Sequence, residues 1–413
     1  MRKYRAELLA GAVLIGAAAR IAVSPLPGST DAPIFHVWSH YAATEGVGRL
    51  YGTGARFPER RTLEYKGVGT KVDYPPVALF ELGLASPKTL AVLGDVVIAW
   101  MLFAWVRRRR PQAAPGAALA FWLNPAVILL GAALGYLDVL YLAPALAALI
   151  MAASGGAAAA GALFAVSFLT KPLAILVAPA LALALGVPRP APDTRRTALR
   201  AVVAGTATAT LIVLPVVVAG GFLNMLWGVG SLLRDPFVSG AAANAWFLAS
   251  PLVAHLPMNL LRAIGVVMTV ATIGWAGARI GKTSDVFALA ALAAFSIHAY
   301  AVLAVSVHEN HLAGALPFLA LASAGHRQLL PVLAAVSAIA AVNMNALYGL
   351  GVGIGWAIPR TVAGIDILVP LATVNVLALA WHANLLRAVA GERAGERPRV
   401  SQASAAWDGA NQS

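Results

Sequence analysis

Runs of roughly twenty apolar residues recur along this chain from its start to about residue 386, most of them bordered by a short cluster of basic residues. That length matches the solvent the chain must meet. At ~1.5 Å rise per residue, about twenty residues cross the ~30 Å hydrocarbon core of a bilayer. The expected fold is therefore all-α, a polytopic transmembrane helix bundle of about twelve helices, within a range of ten to thirteen. Charged residues make up 11% of the chain and hydrophobic ones 60%, against ~25% charged in soluble domains. With no cysteine, disulfides and thiolate chemistry are excluded. The formal net charge is +13. Most of it lies beside apolar runs, where it orients helices and meets anionic lipid, so the expected partner is membrane lipid and not nucleic acid.

The basic clusters set the expected topology. The opening "MRKYRAELLAGAVLIGAAARIAV" reads as a retained first helix over 6–24, and a second helix over 89–106 ends in Arg107–Arg110. Arg2, Lys3 and Arg5 and this tetra-arginine flank the outer limits of one helix pair, so the positive-inside rule places both in the cytoplasm and the long 25–87 loop outside. Further helices are expected over 113–131, 138–153, 200–220, 259–278, 286–307, 312–324, 329–349 and 366–386. The stretch 157–186 is too long for one crossing and is interrupted at Lys171-Pro172, so it divides into two short spans. One membrane domain covers 1–388, with a second external segment over 221–257. The polar residues 389–413 are expected to form a disordered cytoplasmic tail. Both termini then lie in the cytoplasm of a multi-pass protein of the cell membrane.

Under this topology the polar residues hardest to explain fall on the outer face. They are Asp31, His36, His40 and Asp73 in the first loop, and Asp138 and Lys171 at outer helix ends. Arg234, Asp235, Asn244 and Trp246 lie in the second external segment, and His308, Glu309 and His311 in "HENH". Ionisable groups at the edge of hydrocarbon are costly unless paired or solvated. Each also has a plain structural role open to it. Asp31 precedes Ala32-Pro33 and fits an N-cap. His36 and His40 share a face if 32–43 is helical, but no third ligand is near them. Asp73-Tyr74-Pro75-Pro76 reads as a turn, and Lys171 fits a residue snorkelling to headgroups.

Taken together, these motifs resemble one family. A long first loop opening on an acid and followed by "DYPPVALFELGL" is similar to the opening of GT-C glycosyltransferases, integral membrane enzymes that take a sugar from a polyprenyl phosphate. The likeness is to glucosyltransferases using dolichyl-phosphate glucose and to prokaryotic mannosyltransferases of the same superfamily. Further matches are "WLNPAVILLGAALGYLDVLYLAP" with Asp138, "SFLTKPLAILVAPAL" with Lys171, "LLRDPFVSGAAANAWFL" with Arg234, Asn244 and Trp246, and "SVHENHLAGALPFLAL" with His308-Glu309. The resemblance covers roughly residues 6–325.

It implies inverting transfer of a hexose, mannose or glucose, from a polyprenyl-phosphate carrier to an external acceptor on a glycolipid, polysaccharide or protein. The departing phosphate needs cations more than acid catalysis, and Arg234, Lys171 and His308 are the phosphate candidates. The acceptor hydroxyl needs a base, the role the family's first-loop acid plays and Asp31 matches. His36, Asp73, Tyr74, Asp138, Asn244, Trp246, Glu309 and His311 complete the expected substrate contacts, and Trp38 is a further candidate for sugar stacking or an interface belt. No Asp-x-Asp pair occurs, so neither metal nor other cofactor is expected. The alternatives are a transporter or flippase of a small solute or lipid-linked sugar, and a catalytically inactive relative of these transferases.

Overall fold

A computed structural model of the protein describes residues 2–52, 61–187, 192–231, 236–281, 283–354 and 356–408. Helix α1 (Arg2–Val23) leads into the first loop, which folds as α2 (Ala32–Glu45), α3 (Val47–Leu50), a hairpin of β1 (Leu63–Tyr65) and β2 (Val68–Thr70), and α4 (Pro76–Leu82). Next come α5 (Pro87–Arg109), α6 (Ala114–Trp122), α7 (Pro125–Ile128) with a π turn over Leu129–Ala133, α8 (Asp138–Ala153) and α9 (Ala157–Thr170). A 3-10 turn at Pro172–Val177 joins α9 to α10 (Ala178–Ala184), followed by α11 (Pro192–Val218). The second long segment contains α12 (Phe222–Ser231) and α13 (Ala245–Val253). The chain closes with α14 (Met258–Ile280), α15 (Val286–Leu303), a 3-10 turn at His311–Ala315, α16 (Leu316–Gly325), α17 (Leu330–Tyr348), a minimal hairpin β3 (Thr361–Val362) and β4 (Ile365–Asp366), and α18 (Leu368–Asp408).

The architecture is the expected all-helical bundle, relieved by two small hairpins. Among the described residues six helices are long and apolar enough to cross a membrane, or seven if the bent pair Ala114–Trp122 and Pro125–Ala133 is one span. The full-length spans thus fall short of the expected twelve. Four further apolar helical pieces of 10–17 residues lie at Asp138–Ala153, Ala157–Thr170, Pro172–Ala184 and His311–Gly325. Two of the breaks have a local cause. At residues 124–125 the Asn124 side chain accepts from the Ala126 amide and Pro125 has no amide to donate, so the helix expected over 113–131 divides with a 45° bend. Pro172 does the same after α9, where the division was expected. The chain after 389, expected to be disordered, is helical backbone to Asp408, consistent with its helix-favouring Ala, Arg and Glu.

Hydropathy and burial assign the layers. Helix α15 is apolar all round and almost wholly buried, as a central helix must be. Helices α5, α11 and α14 keep large apolar side chains exposed, including Trp100, Leu211 and Val267, which is the surface a bilayer covers. Helices α9 and α11 approach backbone to backbone. A Cβ on Gly161 would stand 1.9 Å from the Ala201 carbonyl oxygen, so only glycine fits there.

One strut unites the first helices. Arg20 is 1% exposed. Its Nε donates to Asp95 Oδ2 at 2.9 Å, its Nη1 donates to the carbonyls of Trp122 at 2.8 Å and Gly16 at 3.1 Å, and its guanidinium lies 3.8 Å from the Trp122 ring centroid. This ties α1 to α5 and to the bend between α6 and α7. Asp95→Asn keeps the shape and removes the countercharge. It is expected to lower stability by about 1.5–3 kcal/mol, read as a fall in the thermal unfolding midpoint in detergent. An unchanged midpoint would show that the strut carries no weight.

Candidate active site

Asp31 stands where α1's exit turns into α2. It occupies the N-cap position with Pro33 in the first turn, but its side chain takes no capping bond. Among the described residues no group donates a hydrogen bond to its carboxylate. The chemistry and capping roles were both open from sequence, and the structure does not use the cap. The position is held by backbone. Ser29 N donates to Leu134 O at 2.9 Å and Val352 N to Gly28 O at 2.8 Å, which fasten the 28–31 turn to the 134–138 turn and to the segment after α17. Gly28 has φ +96, and a Cβ there would come within 3.0 Å of Leu134 O. Gly135, at φ +78, makes the facing turn. Both are positions where a side chain is strained or crowded.

The 134–138 turn delivers two polar side chains. Asp138 is 1% exposed; its Oδ1 accepts from Lys171 Nζ at 2.8 Å and its Oδ2 from Asn310 Nδ2 at 2.9 Å. Tyr136 donates to Glu309 Oε1 at 2.6 Å. Lys171 comes from the α9 break, with its Nζ about 6.0 Å from the Tyr74 ring centroid and 5.9 Å from that of Tyr141. Burial opposes the Lys171 charge, but the Asp138 charge and hydrogen bond, together with Tyr74 and Tyr141, outweigh it, so its pKa is raised.

The "HENH" segment closes the cluster from the other side. His308 packs edge-on against Phe237 at 5.1 Å and His311 at 5.4 Å, and His311 lies 5.8 Å from Tyr300. Its backbone is pinned to the second long segment, where Gly240 N donates to Val307 O at 2.8 Å and Ser306 N to Val238 O at 3.0 Å. Two non-glycine residues here are left-handed, Ala241 at φ 56 and Ser306 at φ 60. Asn343 Nδ2 holds the Ala241 carbonyl at 2.8 Å, and Ser306 Oγ donates to Phe237 O at 2.8 Å. Such strain persists only where neighbours over-determine it, and it collects at functional sites.

Electrostatics join these parts at Asp31. Burial pushes its carboxyl pKa up; the charges of His308 and Lys171 pull it back and that of Asp138 adds to the rise, with a raised net result. Glu309 is also raised, chiefly by burial, against the hydrogen bond from Tyr136. Asp31 thus feels the charges of Lys171, Asp138 and His308 and acts in turn on Tyr74 and Glu309, while His311 feels Lys171 and His308.

The other expected contacts have partners of their own. His36 is exposed and has Lys66 and Lys88, not Asp31, as its charged neighbours. His40 stacks on Tyr65 at 4.0 Å, so the two histidines do not converge. Asn244 Oδ1 accepts from Phe247 N at 2.8 Å to cap α13, and Trp246 Nε1 donates to Leu303 O at 2.6 Å. Both brace the second segment and are buried. Asp73 sits near Tyr51 and Tyr74. Trp38 is buried against Phe35 and Tyr74, which removes it from sugar stacking or an interface belt. Arg234 and Asp235 lie outside the described residues. Among the described residues no group of three or more His, Asp or Glu side chains is placed to hold a metal ion.

The partners Tyr136, Asn310 and Asn343 were not expected. Asn310 was visible inside "HENH" and Tyr136 two residues before Asp138, but nothing local marks them as partners of distant carboxylates. No family model matches the chain, and no curated protein matches it.

Proposed function

We propose that this chain is a membrane glycosyltransferase of GT-C type, which moves a hexose from a polyprenyl phosphate to an extracytoplasmic acceptor hydroxyl with inversion. The observation that carries the reading is a difference among clustered carboxylates. Asp138 is neutralised by Lys171 and Asn310, and Glu309 is held by Tyr136, whereas Asp31 accepts no hydrogen bond among the described residues. A carboxylate without a hydrogen-bond donor, half-buried and raised in pKa, suits the removal of a proton from a sugar hydroxyl. Lys171 has N–H donors left over after bonding Asp138 and supplies positive charge for the departing lipid phosphate, with the His308 imidazole as a further phosphate contact. Arg234, in the segment next to the His308 brace, is the third cation assigned to that phosphate. In this reading the broken apolar helices complete about twelve crossings, and the arginine clusters put both termini in the cytoplasm. Mannose is the favoured sugar and glucose the second.

Membranes carrying the chain are to be incubated with radiolabelled polyprenyl-phosphate mannose, glucose and arabinose, and labelled product extracted. Label is expected to leave the carrier for a new product, most from mannose. The rate should depend on pH through Asp31. Transfer needs the ionised carboxylate, and its pKa is raised above 3.8. Activity is therefore full above the raised pKa and is lost as pH falls through it, at a higher pH than an ordinary aspartate allows. The breaks at Asn124-Pro125 and Lys171-Pro172 also fit a carrier whose helices are interrupted around a substrate. Counterflow of a labelled solute in liposomes without donor lipid, with no transfer, would replace the transferase reading by that one.

A further inference from the structure

Outside the Asp31 cluster, an open groove of about 590 Å³ runs between the end of α1, the exposed face of α2 and the first turn of α5. Its lining includes Leu26, His36, Ser86, Lys88, Thr89 and Leu93, and no carboxylate. Lys88 Nζ donates to the Ser24 carbonyl at 3.1 Å and also to the Leu26 carbonyl, which leaves one N–H unspent at the groove wall. His36 is exposed and has Lys66 and Lys88 as its charged neighbours. Lys66 sits at the tip of the first hairpin, at φ 52 beside Gly67 at φ 77, with its ammonium 5.2 Å from the Tyr65 ring centroid. Like charges gathered around a wet groove repel one another, and an anion relieves all of them at once.

The opposite property begins one turn further along α5. Leu93, Val96, Val97 and Trp100 are 55%, 46%, 46% and 66% exposed, and Ile21 on α1 is 73% exposed. These side chains are bare only if hydrocarbon covers them. A cationic, hydroxyl-bearing pocket thus opens at the head of an apolar helix face, the profile of a molecule with an anionic head and acyl tails.

We propose that this groove binds the phosphate headgroup of an anionic membrane phospholipid through Lys88 and His36, with Lys66 of the neighbouring hairpin adding to the positive field and the acyl chains lying along the exposed faces of α5 and α1. The site is distinct from the Asp31 cluster and holds whether or not the chain transfers sugar. The two are separated by one layer of atoms. A Cβ on Gly135 would stand 3.4 Å from Lys88 Cγ and 3.9 Å from the Ala32 methyl, the residue after Asp31. A bound lipid therefore braces the turn that presents Asp31.

Native mass spectrometry of the full chain in detergent, with dioleoyl phosphatidylglycerol and dioleoyl phosphatidylcholine added in turn, reads the preference directly. Phosphatidylglycerol is expected to be retained and phosphatidylcholine lost. Each removed cation should weaken that preference about fivefold, as expected for roughly 1 kcal/mol per basic group near a lipid surface. Lys88→Met tests the central cation but also frees two carbonyls. The pair Lys66→Gln with His36→Gln removes one exposed cation and one exposed imidazole donor without touching the fold. A preference unchanged in both variants overturns the proposal. So does displacement of phosphatidylglycerol by inorganic phosphate at equal concentration, which would make free anion the ligand and leave the tails without a role.

Discussion

Asp31→Asn removes sugar transfer by about 10²–10⁴-fold, the range that general-base catalysis supplies, and does so without unfolding the protein. The amide has nearly the shape of the carboxylate and cannot take the acceptor's proton. The stability half of this expectation follows from the same electrostatics. Burial raises the Asp31 pKa, so in the folded state the charged form is penalised relative to the unfolded chain. That penalty is present above the raised pKa and relieved as pH falls through it. Removing the charge at neutral pH should therefore leave the unfolding midpoint unchanged or higher, with a gain largest above the raised pKa and absent in acid. Loss of turnover with an equal or raised midpoint is the signature of a residue kept for chemistry at the expense of stability. Turnover near that of the wild type in a folded Asp31→Asn protein would remove Asp31 from the mechanism, whatever the lipid groove does.

Lys171→Met separates a structural from a catalytic cation. Lys171 is 8% exposed and Asp138 1% exposed, and they meet at 2.8 Å. Taking away one member of a buried pair leaves an uncompensated charge, and the expected loss is about 3–5 kcal/mol. Asn310 remains as a single neutral donor to Asp138. The second substitution decides the role. Lys171→Met with Asp138→Asn strips both charges, keeps an acceptor for Asn310, and should recover most of the stability. Transfer should stay down by about 10²–10³-fold, the usual loss when a preorganised donor to developing negative charge is removed. Thermal unfolding and the transfer assay are read on the same preparations. Recovery of both quantities together would make Lys171 a strut and leave the phosphate to His308 and Arg234.

Several features of the site were legible in the residues. The break at Lys171-Pro172 was visible because proline cannot continue a helix, and it places the lysine at an end where its charge can be met. The long first loop and the polar "HENH" turn were visible because both interrupt hydropathy. Other expected contacts have structural partners that their sequence positions did not reveal. His36 and His40 have the spacing of a shared helix face, yet one turns to Lys88 and the other stacks on Tyr65. Asn244 and Trp246 look like contact residues by type, but the first caps a helix and the second bonds Leu303. A side chain's type shows which bonds it can make and does not choose the partner.

The sequence by itself determined the solvent and the secondary structure. A chain with apolar runs this long must lie in lipid, and in lipid its backbone must pair within each segment, so helix was the only outcome and proline marked the breaks. Those are local properties, carried by residues a few positions apart. Only the tertiary structure decided which carboxylate of the cluster accepts no hydrogen bond among the described residues. Asp138 meets its lysine across 33 residues and its asparagine across 172, and Glu309 meets Tyr136 across 173. Such pairings depend on where whole helices dock. They pair Asp138 with a cation and Glu309 with a hydroxyl donor, and leave the half-buried Asp31 as the acid available for chemistry.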